Sequence, residues 1–415
     1  MIYLFYIIIS IEIITIIYNL IKFLLFKSIN TKNIELRNKH TNNKDYQINI
    51  LIPCYKEIKV IKNTIEHFEK IIKDYDNIEL YIVTTEKERI ENHKVNTKTT
   101  YDYLQNLKIC NKKHTHLIHY PKTEGIMADQ LNYAINEILS DTKYNKDKIY
   151  FSVYNADSLP DISTFSELSN KIISLNFPPI FQQYSNYFLN YNSQNFLMKG
   201  FSIYQTAFEF RNGLINNAIS NFLYSHVVGH GLIIRGDYIE KLGGFNSNFW
   251  CEDIYLTGLL HNNKETIIPL NSLDNAQNPE KLKIQVIQNA VWFKTASHHV
   301  EILRDIEKNN QINLSGLIWL LHEFRATFVW IFMPAFLIYS FIYPLLIKNY
   351  ILSLLSILVY STFIFVNYFL NLIIVNKNRF KKYIRNYFSC FIAILFTGFG
   401  PIYSLFLKNK VKTER

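Results

Sequence analysis

From Ile2 to Phe26 the chain is an almost unbroken run of Ile, Leu, Phe and Tyr, longer than the roughly 20 residues a helix needs to cross a bilayer. In lipid every backbone polar group must be satisfied within the segment, so this stretch is restricted to a helix. It lacks the small-residue cleavage site of a secretory signal and Glu12 is its only acid, so it reads as a retained anchor. Phe328 to Ile347, Ile351 to Val375 and Tyr387 to Leu407 are three further apolar segments with short polar breaks between them. The intervening chain, about 300 residues of ordinary globular composition, suffices for one large or two small domains. The expected organisation is a transmembrane anchor over 1–26, a linker over 27–46, a globular domain over 47–310, an interfacial helix over 311–327, a membrane region over 328–407 and a basic tail over 408–415.

The formal charge of +10 invites nucleic acid as a partner, but the lysines are scattered along the chain and form no basic face, so no nucleic acid is expected. The densest basic loop, Lys377 to Arg385, lies between two apolar segments, and Lys22, Lys27 and Lys32 surround the end of the first. Positive residues mark the cytoplasmic side, which places the globular domain on the cytoplasmic face of an inner or plasma membrane, with anionic lipid as a contact for the loop. Three full C-terminal crossings would leave the basic tail outside. Gly398, Gly400 and Pro401 interrupt the last segment, so a re-entrant segment with the tail inside is expected. Cys54, Cys110, Cys251 and Cys390 are far apart, as in a reducing compartment, and give no zinc signature.

Lys148 to Asp161 joins an apolar strand, Ile149 to Tyr154, to the polar cluster Asn155, Ala156, Asp157 and Ser158, where Pro160 stops the strand. Ile48 to Pro53 and Glu79 to Thr84 read as earlier strands, and Leu117 to Tyr120 as a third. Helices are expected from the turn at Cys54 to Glu57 as far as Tyr75, with Glu57 in the first turn, then in Lys87 to Lys108 and from Met127 to Leu139. This alternation predicts an α/β fold with a mostly parallel, Rossmann-like sheet whose strand ends gather Pro53, Glu86 and Asp157 at one crevice. No glycine-rich phosphate loop precedes a helix, so dinucleotide and P-loop fingerprints are excluded. Oxygen ligands at a strand end suit a hard divalent cation that bridges to phosphates. Downstream, Gln194 to Asn217 reads as helix. Cys251 to Leu260 opens a further helix with Glu252 and Asp253 in its first turn, where the dipole favours an anion.

Strand-PCYKE, a strand ending in NADS, GHGLIIR, GGF, CEDIYLTG and QNAVW, bracketed by apolar helices, occur in an order that resembles the family-2 inverting glycosyltransferases of the cellulose, chitin and hyaluronan synthase type. The resemblance covers nearly the whole chain and implies a GT-A fold, a nucleotide-sugar donor, Mg2+ or Mn2+, a glycan or lipid-linked acceptor and other polysaccharide-assembly proteins as partners. It assigns Pro53, Tyr55 and Glu57 to the first nucleotide-binding loop, joined by Glu86, and Asn155 and Asp157 to the Asp-x-Asp motif, with Asp157 the metal ligand. Glu252 and Asp253 match the Glu-Asp pair, with Asp253 the general base. Gln288 and Trp292 match the acceptor motif, and His230 would orient the loop facing the acceptor. Asn155 stands where an Asp is usual, Val291 where an Arg precedes the Trp, and Met127 near the place of a Lys.

Each assignment has a plainer alternative: Asp157 and Asp253 as helix caps, Trp292 as core, His298 and His299 as structural. His226 and His230 have the spacing of a zinc helix, but HVVGH lacks its Glu and contains Gly229. The expected function is a membrane-anchored, metal-dependent inverting glycosyltransferase; the alternative is an impaired, glycosyltransferase-like binding or scaffolding subunit. A transporter built on the apolar segments would leave most of the chain without a purpose.

Overall fold

A computed structural model describes residues 1–30, 45–93, 98–109, 112–219, 226–249, 251–296, 298–309, 311–375 and 380–407. Most of the expected linker, Lys32, Cys110, the start of the 377–385 basic loop and the basic tail lie outside the described residues. The centre is a seven-stranded sheet of β1 (Gln47–Pro53), β2 (Ile78–Thr85), β3 (Thr115–Tyr120), β4 (Ile149–Val153), β5 (Ile180–Gln182), β6 (Leu232–Arg235) and β7 (Ile268–Pro269). Their spatial order is β3-β2-β1-β4-β6-β5-β7. The first four are mutually parallel; β6 runs antiparallel to both neighbours, and β5 and β7 pair parallel.

Strand alternation divides β1 between two cores. Ile48, Ile50 and Ile52 pack under α2 (Ile61–Ile72) with Ile65 and Phe68, whereas Leu51 faces α3 (Met127–Asp141) with Leu131, Ala134 and Ile135. Period-2 side chains covered on both faces give the continuous apolar strands seen in the sequence. The turn after β1 is longer than expected. Lys56 takes a left-handed φ of 59° and α2 begins only at Ile61, so Glu57 lies in the loop and not in the first helical turn.

Gly231 joins the loop of residues 226–231 to β6. Its N–H donates to the Val153 carbonyl at 2.7 Å, and its carbonyl accepts from the Gln183 N–H at 2.7 Å. Its φ is +65°, and an added Cβ would stand 2.3 Å from the Gln183 carbonyl oxygen. Gly231→Ala should therefore lower unfolding stability by about 2 kcal/mol through strain and overpacking. Thermal unfolding in detergent checks this; an unchanged midpoint would contradict it.

Among the described residues, four helices are long and apolar enough to cross a membrane: Ile2–Ile29, Leu314–Leu346, Tyr350–Ile374 and Tyr387–Ser404. The first belongs to α1 (Ile2–Asn30). In the globular unit, α4 (Phe196–Glu209) lies between β5 and β6 in the chain, α5 (Glu252–Asn262) lies between β6 and β7, and α6 (Leu282–Ala296) and α7 (His299–Asn309) follow the last strand. The C-terminal apolar region contains α8 (Leu314–Leu346), α9 (Tyr350–Ile364), α10 (Tyr387–Thr397) and α11 (Phe399–Ser404). The expected interfacial helix and the first C-terminal span are one continuous α8 of 33 residues, about 50 Å at 1.5 Å per residue, so it outreaches the hydrocarbon layer. At its far end the Tyr339 hydroxyl donates to the Met1 carbonyl at 2.8 Å, which sets α1 antiparallel to α8.

The last apolar segment breaks at Gly398, between α10 and α11. A Cβ on Gly200 of α4 would lie 2.2 Å from the Ser389 carbonyl, and one on Gly400 would lie 2.6 Å from Asn289 Cβ of α6. Both halves of the segment therefore pack on the globular unit, and Gly400 and Pro401 are buried, as a broken helix at membrane depth requires. With one cysteine at a time, Lys62→Cys and Lys348→Cys should react with an impermeant thiol reagent from opposite faces of the membrane. Labelling of both from one face would overturn the topology.

Candidate active site

The loop after β1 is held from beneath by a carboxylate that the sequence reading did not single out. Glu88, 1% exposed, accepts from the Lys56 N–H at 2.9 Å, the Thr100 N–H at 2.8 Å and the Thr100 hydroxyl at 3.0 Å. The Glu57 N–H donates to Thr100 Oγ1 at 2.9 Å. With the backbone so fixed, Tyr55 presents its ring to the ammonium groups of Lys56 and Lys87, 5.2 and 5.9 Å from its centroid. Glu86, by contrast, is engaged by His119 Nε2 at 2.9 Å and by Arg89 at 3.8 Å.

At the end of β4 the chain turns through Asn155 to Ser158. The Asn155 N–H donates to Ser158 Oγ at 3.2 Å, Ser158 Oγ to Asp274 Oδ2 at 2.8 Å, and the Thr64 hydroxyl to the Ala156 carbonyl at 2.6 Å. Asp157 is buried here, 5% exposed. Among the described residues no cluster of three or more His, Cys, Asp or Glu side chains is placed to hold a metal. The donor set at this strand end is Asn155 and Asp157, which fits a cation such as Mg2+ that takes one or two carboxylates and fills its shell with phosphate oxygens and water.

Glu252 and Asp253 open α5, as expected, but differ in exposure. Glu252 is buried and Asp253 half-buried, so the second is the one a substrate can reach. Asp253 Oδ2 accepts the Gly229 N–H at 3.1 Å, and Oδ1 accepts the Ile254 N–H at 2.9 Å. A Cβ on Gly229 would stand 2.9 Å from Glu252 Oε1 and 3.7 Å from Asp253 Oδ2, so a larger residue here would displace the Glu252 carboxylate. The same point is 3.8 Å from Met127 Cε, so Met127 and the two acids border Gly229. The GGF turn is tied to α3 by Asn132, whose side chain bonds both the N–H and the carbonyl of Phe245 at 2.8 Å.

His230 is buried beneath this loop. Nδ1 lies 3.0 Å from Ser185 Oγ and 4.0 Å from Asp274; Nε2 lies 3.3 Å from the Tyr187 hydroxyl and 3.4 Å from Glu209. Its ring therefore supports the loop from inside. Burial alone would depress this imidazole, but the Glu209 carboxylate, its hydrogen bond and Asp274 outweigh that and hold it above its ordinary value. Burial also pushes the Asp274 carboxyl up, partly opposed by His230. A raised histidine contributes stability that is complete below its ordinary range and fades as pH climbs through the raised value. The stability advantage of the wild type over His230→Gln should accordingly be larger near about pH 6 than near about pH 9; chemical unfolding at the two pH values checks it, and an equal gap contradicts it.

The charge of Asp253 acts on both His226 and His230. Asp157 and Asp253 thus flank one chain of contacts running through Ser158, Asp274 and His230 at the carboxyl edge of the sheet. Gln288 and Trp292 occupy the middle of α6, half-buried, on the helix that receives the last apolar segment. None of the described hydrogen bonds or ring contacts joins either to the Asp253 loop. Of the groups not foreseen, Glu209 had a signal, a lone acid in an aromatic helix. Asp274 had none, because only the fold brings its loop beneath β4.

The sheet order, the acidic strand end and the acid-bearing helix belong to a mixed α/β unit whose fold is like that of a solved glycosyltransferase. The structure is similar to the mannosyltransferase PcManGT from Pyrobaculum calidifontis, solved in complex with GDP-Man and Mn2+, with a TM-score of 0.52 and 11% identity over 97% of this chain and 100% of that one. It also matches S. aureus TarS 1–349 at a TM-score of 0.44 and 11% identity, over 87% of this chain and 92% of that one, and the same protein in complex with UDP-GlcNAc at 0.44, 12%, 86% and 91%. No family model matches the sequence. No curated protein matches it.

Proposed function

We propose that the chain is a membrane-anchored, inverting glycosyltransferase of the family-2 type that transfers a sugar from a nucleotide donor to a polysaccharide or lipid-linked acceptor on the cytoplasmic side. The observation that carries this reading is the accessible Asp253, held by the Gly229 N–H in the first turn of α5, at the same sheet edge as Asp157. In the reaction the acceptor hydroxyl oxygen bonds to the anomeric carbon, and its proton passes to Asp253. The bond from that carbon to the donor's phosphate oxygen breaks, and its electron pair leaves with the nucleoside diphosphate. Tyr55, with Lys56 and Lys87 beside its ring, lines the nucleotide side with Pro53, Glu57, Glu86 and Asn155. Glu252 buttresses the base, and Gln288 and Trp292 line the acceptor path.

Asp157 would hold Mg2+ or Mn2+, which when bound neutralises charge on the leaving diphosphate. GDP-mannose, the donor in the PcManGT complex, is the first to test, together with UDP-sugars. Purified protein with Mn2+ should release nucleoside diphosphate from one of them in the presence of membrane lipid extract. Binding of a donor without turnover would favour the second reading, a scaffolding subunit, which Met127 beside Gly229 supports because it stands near the place where the resemblance expects a Lys.

A further inference from the structure

A second sheet, of three short strands, is built from Leu159–Pro160, Asp274–Asn275 and Ser185–Asn186, with Asp274 paired to Pro160 on one side and to Ser185 on the other. Asp274 is fully buried, and its backbone N–H donates to the Tyr184 carbonyl at 3.0 Å. Burying a carboxylate is costly unless its oxygens are satisfied. Here Oδ1 has no hydrogen-bond partner among the described residues, and only Oδ2 is used. An acid kept for stability alone gains little from a site that satisfies one oxygen of two.

The hydrogen bonds that reach Oδ2 run in one direction. An ionised carboxylate only accepts, so Ser158 Oγ, at 2.8 Å, and Ser185 Oγ, at 3.1 Å, both donate to it. Ser158 Oγ is then left to accept the Asn155 N–H at 3.2 Å, and Ser185 Oγ to accept from His230 Nδ1 at 3.0 Å. Glu209 closes the other side of the imidazole, 3.4 Å from Nε2, and accepts the Ser185 N–H at 2.8 Å. The two arms end at the two halves of the site. One is the turn after β4 that carries Asn155 and Asp157; the other is the 226–231 loop. In that loop the Gln182 side chain accepts the Val228 N–H at 3.0 Å and donates to the His230 carbonyl at 2.8 Å, which locks the backbone on both sides of Gly229. The Gly229 N–H in turn donates to Asp253 Oδ2 at 3.1 Å. Asp274 is 116 positions from Ser158 and 89 from Ser185, so one oxygen joins segments that the chain itself does not.

We propose that Asp274 is a positioning residue: by accepting from Ser158 and Ser185 on one oxygen, it fixes the turn after β4 and the 226–231 loop against each other and sets where Asp253 stands relative to a bound donor. Being buried, it acts through these groups and not by contact with a substrate. Its effect on sugar transfer rests on the transferase reading; the tie between turn and loop does not.

The test uses the full chain in detergent and has two readouts. Hydrogen–deuterium exchange without ligand is expected to rise in the peptides covering 155–158 and 226–231 in Asp274→Ala, in the second alone in Ser185→Ala, and in neither in Asp274→Asn, whose carbonyl can accept both hydroxyls. The strands β1 and β2 serve as the unchanged reference. Transfer is measured with the first of GDP-mannose and the UDP-sugars that the wild type turns over with Mn2+, corrected for the folded fraction. Asp274→Ala and Ser185→Ala are expected to lose about 10²-fold in kcat, the cost of a displacement of about 1 Å, with the donor KM unchanged in Ser185→Ala and most of the rate restored in Asp274→Asn. Ser185→Ala keeps the test decisive if Asp274→Ala does not fold. Faster exchange across β1 and β2 in Asp274→Ala would mean a purely structural acid and overturns the proposal. So does a wild-type kcat in Ser185→Ala although its loop exchanges faster, or a loop whose exchange does not change. The expected exchange pattern beside a wild type that transfers sugar from no donor would remove the transferase reading and leave the tie standing.

Discussion

Asp253→Asn is expected to slow sugar transfer by about 10²–10⁴-fold while leaving donor affinity unchanged, because the amide occupies the same volume but cannot accept the acceptor's proton. The geometry limits collateral damage. Asp253 Oδ2 receives the Gly229 N–H and Oδ1 the Ile254 N–H, and an asparagine can keep one of these with its carbonyl oxygen. A reduced kcat with unchanged donor binding, measured by nucleoside diphosphate release and by titration of the donor with Mn2+, would fit a base that acts in the transition state. Turnover equal to the wild type would remove Asp253 from that role. Glu252→Gln provides the contrast: Glu252 is buried behind Gly229, so its loss should disturb the loop and weaken donor and acceptor effects together.

Trp319→Ala is expected to cost about 3–5 kcal/mol, the range for truncating a large buried aromatic side chain. Trp319 is fully buried, and its ring is pressed on Gly258, where an added Cβ would lie 3.0 Å from Cη2, and stands edge-on to His299 with centroids 6.3 Å apart. It is the contact by which α8 grips α5, the helix that begins with Glu252 and Asp253. Alanine would leave a cavity at this joint. The indole N–H has no hydrogen-bond partner among the described residues. Trp319→Phe therefore removes volume without removing a bond, and should cost less than about 2 kcal/mol. Unfolding midpoints of the two variants in detergent separate these cases, and equal midpoints would show that the joint is not closely packed.

The parallel half of the sheet was readable because β1 and β4 are buried on both faces and so are mostly apolar, with Asn49 and Ser152 as buried polar exceptions. The acid-bearing first turn of α5 was readable for a similar local reason, since Glu252 and Asp253 sit at a helix start. The outcome for His230 was not. The residue lies in a loop with no periodicity, and its burial follows from Glu209, Tyr187, Ser185 and Asp274, up to 45 positions away in sequence. Glu86 likewise reads as an acid at a strand end until β3 brings His119 beside it.

The sequence by itself determined that four apolar stretches exist, that a mostly parallel sheet lies between the first and the rest, and that acids stand at the end of β4 and the start of α5, because length, apolar periodicity and helix-end chemistry are local. Tertiary structure alone decided which groups meet. It fused the interfacial and spanning segments into one α8, seated the broken last helix on α4 and α6, turned His230 inward and brought Lys22 of α1 onto the Arg211 carbonyl. Apart from the continuity of α8, those outcomes depend on side-chain volume and charge brought together across tens to hundreds of residues, which spacing along a chain does not encode.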